Sequence, residues 1–289
     1  MTPPYQSLNF GPMDYLIPQR WESYSAAEHA IWDRLYARQI EVLRDRAAPE
    51  VFTGLERLQL GRRGIPNFDE LSEELHALTG WRVKAVAGLV PDEVFFRHLA
   101  NRVFVAGQFI RSADQLDYLQ EPDVFHDVFG HVPLLTLPVF ADYMQAYGEG
   151  GLRSMGFGSL EKLARLYWYT VEFGLIETPA GLRIYGAGIT SSHAESRFAL
   201  EDDSANRIGF NLSRVLQTRY RIDDFQETYF VISSFADLLR TTLETDFAPL
   251  YQALSQAPEY EPGELLVGDR LIRRGTGRYF AKKRAVLRV

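Results

Sequence analysis

The sequence predicts a mainly α-helical fold with short β hairpins, and three observations carry that prediction. Apolar residues recur at three- and four-residue steps in several long runs, capping residues stand where those runs begin, and period-two alternation is confined to short segments. The 289 residues are 46% apolar and 24% charged, a mixture too hydrophobic for a disordered chain and large enough for a sizeable core.

Taken in order, residues 1–20 read as an irregular arm, because Pro3, Pro4, Gly11, Pro12 and Pro18 fix turns and deny a helix its backbone donors. At Ser25 the pattern changes. Ser25-x-x-Glu28 is a capping box, and Trp32, Leu35, Tyr36, Ile40 and Leu43 follow at helical spacing, with an end expected near Pro49. A second helix fits Asn67 to Leu78, capped by Asn67, closed by Gly80, with Leu71, Leu75 and Leu78 turned inward. Trp81 to Val86 alternates with period two and reads as a strand. Pro91 can open a helix running toward Arg102, whereas Val103 to Ile110 fits helix or strand equally. Further helices are expected over 138–147, 159–176 and 234–254, and Pro179-Ala-Gly181 resembles a hairpin turn. No repeat or polar linker interrupts residues 20–255, so one continuous domain is predicted over 21–255. Residues 256–289 read as a basic extension, since Arg270, Arg273, Arg274, Arg278, Lys282, Lys283, Arg284 and Arg288 gather there; a solvated face is the simplest reading of them.

Composition excludes several functions. With 31 basic against 38 acidic side chains, the formal charge of -7 offers no general field to hold nucleic acid. Cysteine is absent, which removes disulfides, thiolate metal sites and thiol nucleophiles together. Any metal must therefore take nitrogen and oxygen ligands. No run approaches 18 uncharged apolar residues, so no membrane partner is expected and a cytoplasmic location is predicted. Gly186-Ala-Gly188 and Gly275-Thr-Gly277 lack the third glycine and the strand-to-helix setting of a phosphate loop.

The strongest local signal lies in Glu121-Pro-Asp-Val-Phe-His126-Asp-Val-Phe-Gly130-His131-Val-Pro133, which holds two of only six histidines. Asp123 is a plausible cap, placing His126 in a first helical turn, and Gly130 with Pro133 should stop the helix around His131. In a regular helix a five-residue step rotates the second side chain about 140° from the first. A break after Phe129 is therefore expected, so that both imidazoles can face one ion. A carboxylate should complete the set, and Glu172 is the candidate: it sits in Leu166-Tyr-Trp-Tyr-Thr-Val-Glu172-Phe-Gly-Leu-Ile, where an ionised Glu costs several kcal/mol unless paired or coordinated. Each group read singly fits an ordinary core histidine or a buried ion pair; read together they supply one site. Two histidines and one carboxylate leave positions open on Fe(II), although such a set could also hold zinc.

Arg111, Tyr118-Leu-Gln-Glu-Pro-Asp123, His126 through Leu134, Tyr167 through Gly174 and Tyr185 through Ser192 strongly resemble the pterin-dependent aromatic amino acid hydroxylases, most closely the bacterial members acting on phenylalanine. The resemblance runs in order from about Trp21 to Leu250. It implies a monooxygenase with Fe(II) on His126, His131 and Glu172, using O2 and a tetrahydropterin, either tetrahydrobiopterin or a bacterial analogue, to convert L-phenylalanine to L-tyrosine. It also implies Arg111 as a clamp for the substrate carboxylate, a role suited to a guanidinium fork; the alternative is an ion pair with a neighbouring Asp. Leu119, Trp168, Phe173, Gly188, Ser191 and Glu195 match positions at the amino acid pocket, although Ser192 with Glu195 also forms a capping box. Gly88, Leu89, Val90, Phe95 and Asp127 match positions at the pterin. Asp127 stands where animal members carry Glu, and Asp92 also departs from them.

Phenylalanine is favoured over tyrosine and tryptophan because the phenylalanine enzymes resemble this chain at Trp168. Ile222, where tyrosine enzymes tend to carry Asp, offers a phenol no partner, and a buried unpaired hydroxyl costs roughly 1–3 kcal/mol. After Leu254 no heptad is sustained, so a monomer is predicted. Two rival readings are a zinc hydrolase on the same ligands, disfavoured by the five-residue histidine step, and a non-catalytic pterin or amino acid sensor.

Overall fold

The computed structural model describes residues 14–117, 119 and 121–286. Most of the expected arm, residues 1–13, lies outside the described residues. Just after it, β1 (Leu16–Ile17) pairs antiparallel with β2 (Arg82–Val86), so the segment before Trp21 supplies a sheet edge.

The capping box is formed: the Ser25 hydroxyl accepts from the Glu28 N–H, and the Glu28 carboxylate accepts from the Ser25 N–H at 2.8 Å. It opens α1 (Ala26–Leu43). That helix stops well short of Pro49, which instead takes the first position of α2 (Pro49–Arg57), where a missing donor costs nothing. Asn67 caps α3 (Phe68–Thr79), and Gly80 closes it in the left-handed region at φ 80°. Leu78 does not turn inward; it is exposed, one step off the buried stripe of Phe68, Leu71 and Leu75. Then come β2, α4 (Asp92–Ala100) and β3 (Val103–Gly107), a parallel β-α-β unit. The ambiguous run after Arg102 is thus a strand, and all but its last residue are buried.

The long helix α5 (Pro138–Met155) outruns its expected end at Tyr147, while α6 (Leu160–Tyr167) gives way to a π-helical turn over Trp168–Glu172. Ile176, expected in that helix, belongs to β4 (Leu175–Thr178), which forms with β5 (Gly181–Ile184) the predicted hairpin; Gly181 takes φ +100° at its turn. The order continues through α7 (Ala187–Thr190), α8 (His193–Glu201), β6 (Asn206–Gly209), α9 (Leu212–Gln217) and β7 (Thr228–Ile232). The single helix expected over 234–254 is two, α10 (Phe235–Glu244) and α11 (Phe247–Leu254), separated at Thr245 and recapped by Asp246.

Residues 256–286 are not a loose extension. β8 (Leu271–Arg273) adds to β6, giving a five-stranded sheet ordered β5-β4-β7-β6-β8, and α12 (Arg278–Val286) buries Phe280 against Phe198 and the β7 residue Tyr229. Arg270, Arg278, Lys283 and Arg284 pair with acids elsewhere, as in Arg270–Glu177 at 3.0 Å and Lys283–Asp224 at 2.8 Å. Charge clustering in the sequence concealed one buried aromatic, which is what fixes the helix. Among the described residues no helix is long and apolar enough to cross a membrane.

Candidate active site

The His126–His131 segment does not break. Residues Phe125–His131 form a π-helical turn, with the Asp123 carboxylate accepting from the His126 N–H at 3.0 Å as the expected cap. Hydrogen bonds in such a turn run from i to i+5, so a five-residue step returns the second side chain above the first. The expected break is thereby replaced by a widened turn with the same result: the two Nε2 atoms lie 3.3 Å apart. Glu172 ends the second π-helical turn, closed by the Phe173 N–H on the Trp168 carbonyl at 2.9 Å, another i to i+5 bond. Its carboxylate stands 3.2 Å from His131 Nε2 and 3.7 Å from His126 Nε2. One donor atom from each of the three groups lies within 4.8 Å of the others.

Close backbone approach makes this convergence possible. A Cβ on Gly130 would lie 2.9 Å from the Ala187 carbonyl oxygen, so glycine lets α7 rest on the first π-helical turn. A Cβ on Gly188 would meet the Phe173 ring at 2.8 Å. Held there, α7 delivers Ser191, whose hydroxyl lies 2.9 Å from His126 Nδ1 and also donates to the Ala187 carbonyl at 2.7 Å. A partner on the far nitrogen of a histidine fixes ring orientation and leaves Nε2 for an ion. Tyr167 lies 3.4 Å from His131 Nδ1 in the same sense.

The electrostatics match. Burial would push the Glu172 carboxyl up, but the facing His131 and His126 imidazoles and the Gly188 N–H hold it below the usual range. Burial opposes a charge on His131, yet Glu172 beside it raises that imidazole above its ordinary value. Two imidazole nitrogens and a carboxylate, all aimed at one point, suit a divalent ion of the nitrogen- and oxygen-binding kind.

A cavity of about 640 Å³ opens beside the triad, lined by His126 and Glu172 and by all seven residues expected at the amino acid: Arg111, Leu119, Trp168, Phe173, Gly188, Ser191 and Glu195. Arg111 does form the alternative ion pair, gripping Asp123 through Nε and Nη2 at 2.8 Å each. Nη1 has no partner among the described residues, so the pair and a ligand clamp are compatible. Burial works against the Asp123 charge, but the Arg111 guanidinium holds its carboxyl below the usual range. The Ser192 hydroxyl caps α8 at the Glu195 N–H, but the Glu195 side chain turns away from the reciprocal bond and accepts from the Tyr229 hydroxyl at 2.8 Å. Burial pushes its carboxyl up to about 8.

Of the five residues expected at the pterin, Leu89 lines this cavity, and it is 87% exposed. Gly88, Val90, Phe95 and Asp127 are not on its wall. Asp127 accepts from the Gly107 N–H at 2.8 Å, and Phe95 meets the edge of Tyr167, whose ring stacks on His131 at 6.0 Å. Ile222 lines the cavity but is 74% exposed, so water reaches it and the unpaired-hydroxyl argument for rejecting tyrosine does not hold at that position. Gln226, Asp224, Tyr279 and Lys283 also line the cavity; the first three carried no sequence signal, and Lys283 was read only as part of a solvated basic face.

Residues 16–256 match the family described as biopterin-dependent aromatic amino acid hydroxylase. The chain belongs to that family. It is 61% identical over 266 residues to phenylalanine-4-hydroxylase of Caulobacter vibrioides, covering 92% of this chain and 90% of that one. The corresponding protein of Chromobacterium violaceum is 55% identical over 262 residues, covering 91% and 88%. The iron- and phenylalanine-bound crystal structure of the latter superposes with a TM-score of 0.86 at 53% identity, over 90% of this chain and 94% of that chain. Through His126 and Glu172 the triad and the cavity beside it form one continuous site.

Proposed function

We propose that this hydroxylase is a phenylalanine 4-monooxygenase, converting L-phenylalanine to L-tyrosine with O2 and a tetrahydropterin at a non-heme iron. The observation that carries the reading is the meeting of His126, His131 and Glu172 beside the cavity that His126 and Glu172 line together with Arg111 and Trp168. Identity of 55–61% to bacterial phenylalanine-4-hydroxylases over most of the chain supports it.

In this reading His126, His131 and Glu172 hold Fe(II), which with the pterin supplies the activation of O2. The chain's own residues bind and orient. Arg111, rigidly seated on Asp123, receives the substrate carboxylate on its remaining edge, where a charge-assisted bond is strongest. Trp168 and Phe173, packed on each other with ring centroids 4.7 Å apart, form one aromatic surface against the substrate ring and keep water from that side of it. Ser191 keeps His126 turned inward. Gly88, Leu89, Val90, Phe95 and Asp127 would hold the pterin, and Phe95 is linked to the metal-facing His131 through the ring of Tyr167. A cytoplasmic monomer is part of the same reading; light scattering returning a larger mass would remove the latter part.

The test is direct. Iron-loaded protein given a tetrahydropterin, air and L-phenylalanine should form tyrosine, detected by mass spectrometry. Faster turnover of tryptophan than of phenylalanine would overturn the substrate assignment.

A further inference from the structure

The helix α12 lies beyond residues 16–256, yet it reaches the cavity: Tyr279 and Lys283 both line it. Its attachment is specific. Phe280, 3% exposed, anchors α12 against Phe198, and Phe225 stacks on Phe198 at 4.4 Å with Tyr279 at 5.5 Å. From that anchor two side chains of α12 converge on one carboxylate. The Tyr279 hydroxyl donates to Asp224 Oδ1 at 2.9 Å, and Lys283 Nζ lies 2.8 Å from the same oxygen. The Asp224 side chain is only 4% exposed, and its third donor is the Phe225 N–H at 2.9 Å.

The loop so held, Tyr220–Gln226, is what touches Trp168. The indole Nε1–H donates to Gln226 Oε1 at 2.8 Å, and Tyr220 stacks on the indole at 4.4 Å and 18°. Gln226 has no freedom to turn. Its Nε2 donates to the carbonyls of Arg221 at 3.2 Å and Asp224 at 3.4 Å, so its acceptor must face the indole. Trp168 belongs to the π-helical turn that ends at Glu172, and its ring also packs on Phe173 at 4.7 Å.

We infer that α12 is a specificity element of the amino acid pocket: Tyr279 and Lys283 hold Asp224, and through the loop Asp224–Gln226 they set the orientation of the Trp168 indole against the substrate ring. Tyr279, Lys283, Asp224 and Gln226 are positioning residues. This rests on the pocket reading given above and adds to it a segment outside the family's matched residues. A neutral packing role for α12 would not link substrate affinity to Trp168, and that linkage is what the experiment reads.

The variant Tyr279→Phe/Lys283→Met keeps the buried Phe280 and the ring packing while removing the two α12 donors to Asp224. It is made in the full chain and in a Trp168→Phe background, and iron-loaded proteins are assayed with L-phenylalanine, with binding of L-phenylalanine measured separately by calorimetry. In the native background KM and the calorimetric Kd should rise about fivefold while kcat changes less than about twofold, as expected for lost ground-state binding. In the Trp168→Phe background the same two substitutions should change both constants by less than about 1.5-fold. An unchanged KM and Kd in the native background, or an equal rise in both backgrounds, overturns the inference. Tyr279→Phe alone takes the place of the pair should the pair not fold. The unaltered chain is the control: absence of tyrosine formation there removes the pocket reading itself, whereas its presence with unmoved constants removes only the role of α12.

Discussion

One wall of the site, carrying His126, His131 and Glu172, is built from helix backbone, whereas another, carrying Ile222, Asp224 and Gln226, is built from a loop strapped by side chains of α12. On the first wall each group is placed by a π-helical turn and held by a partner behind it: Asp123 at the start, Ser191 and Tyr167 on the imidazoles, the Gly188 N–H on the carboxylate. On the second, a loop is fixed by one buried carboxylate and one amide. The difference teaches where chemistry and selectivity can vary independently. Helix backbone fixes position to fractions of an ångström at the cost of any adjustability, and a strapped loop does the reverse.

The sharpest way to break this division is to remove the carboxylate that faces the two imidazoles on the rigid wall. Glu172→Gln keeps size and hydrogen bonding but takes away the charge that two neutral imidazoles cannot replace. Tyrosine formation should fall on the order of a thousandfold, with bound iron per chain reduced, while circular dichroism stays unchanged. Turnover near that of the unaltered chain would remove Glu172 from the mechanism.

Much of the rigid wall was legible in the sequence, and the reasons are local. A capping Asp123, a five-residue histidine step and a Glu in an apolar helix are all patterns within a few residues, and local backbone geometry acts on them directly. The device that unites the histidines was not legible. The break expected near Phe129 rested on Gly130 and Pro133, but tertiary packing let the chain widen into a π turn, with Gly130 spent on the contact with α7. The strapped wall was opaque for a different reason. Gln226 and Trp168 are 58 residues apart, and Tyr279 and Asp224 are 55 apart, so no spacing rule joins them. Likewise the basic composition of residues 270–288 suggested a solvated face, when one buried phenylalanine decides where that helix sits. Ser191, by contrast, was expected at the substrate and is found also bonding His126, a role that only the approach of α7 reveals.

Arg111 lines the same cavity while gripping Asp123, and it separates structure from recognition. Arg111→Met leaves Asp123 buried without its partner, which should cost about 3–5 kcal/mol of stability, read as a lower urea midpoint. Adding Asp123→Asn removes the stranded charge and should restore much of that loss. Affinity for L-phenylalanine should remain poor in both variants, because neither supplies a cation for the carboxylate. Recovery of affinity in the double variant would show that Arg111 acts only through Asp123.

Glu195 gives a smaller effect with a definite sign. Burial raises its carboxyl from an ordinary 4.5 to about 8. Between those values the unfolded chain has released a proton that the folded chain keeps, so this group lowers stability as pH rises, by at most about 1.4 kcal/mol per pH unit. The penalty is absent below the lower value and complete above the upper one. Glu195→Gln cannot ionise, and it should flatten the decline in urea midpoint between about pH 5 and pH 8. An unaltered slope would mean that the Tyr229 hydroxyl already meets an ionised carboxylate at neutral pH.

The least effect is expected at Ile222, and its smallness tests how far the strapped wall governs selectivity. The side chain is 74% exposed, so Ile222→Asp neither buries a charge nor leaves a cavity, and stability should move by less than about 0.5 kcal/mol. Water at that position already solvates a phenol, which means a carboxylate there replaces a hydrogen bond that the solvent supplies. The ratio of kcat/KM for phenylalanine to that for tyrosine should therefore change by less than about twofold. A change of tenfold or more would show that the loop closes over the substrate and excludes water from Ile222, and the selectivity now assigned to the held indole of Trp168 would have to be shared with it.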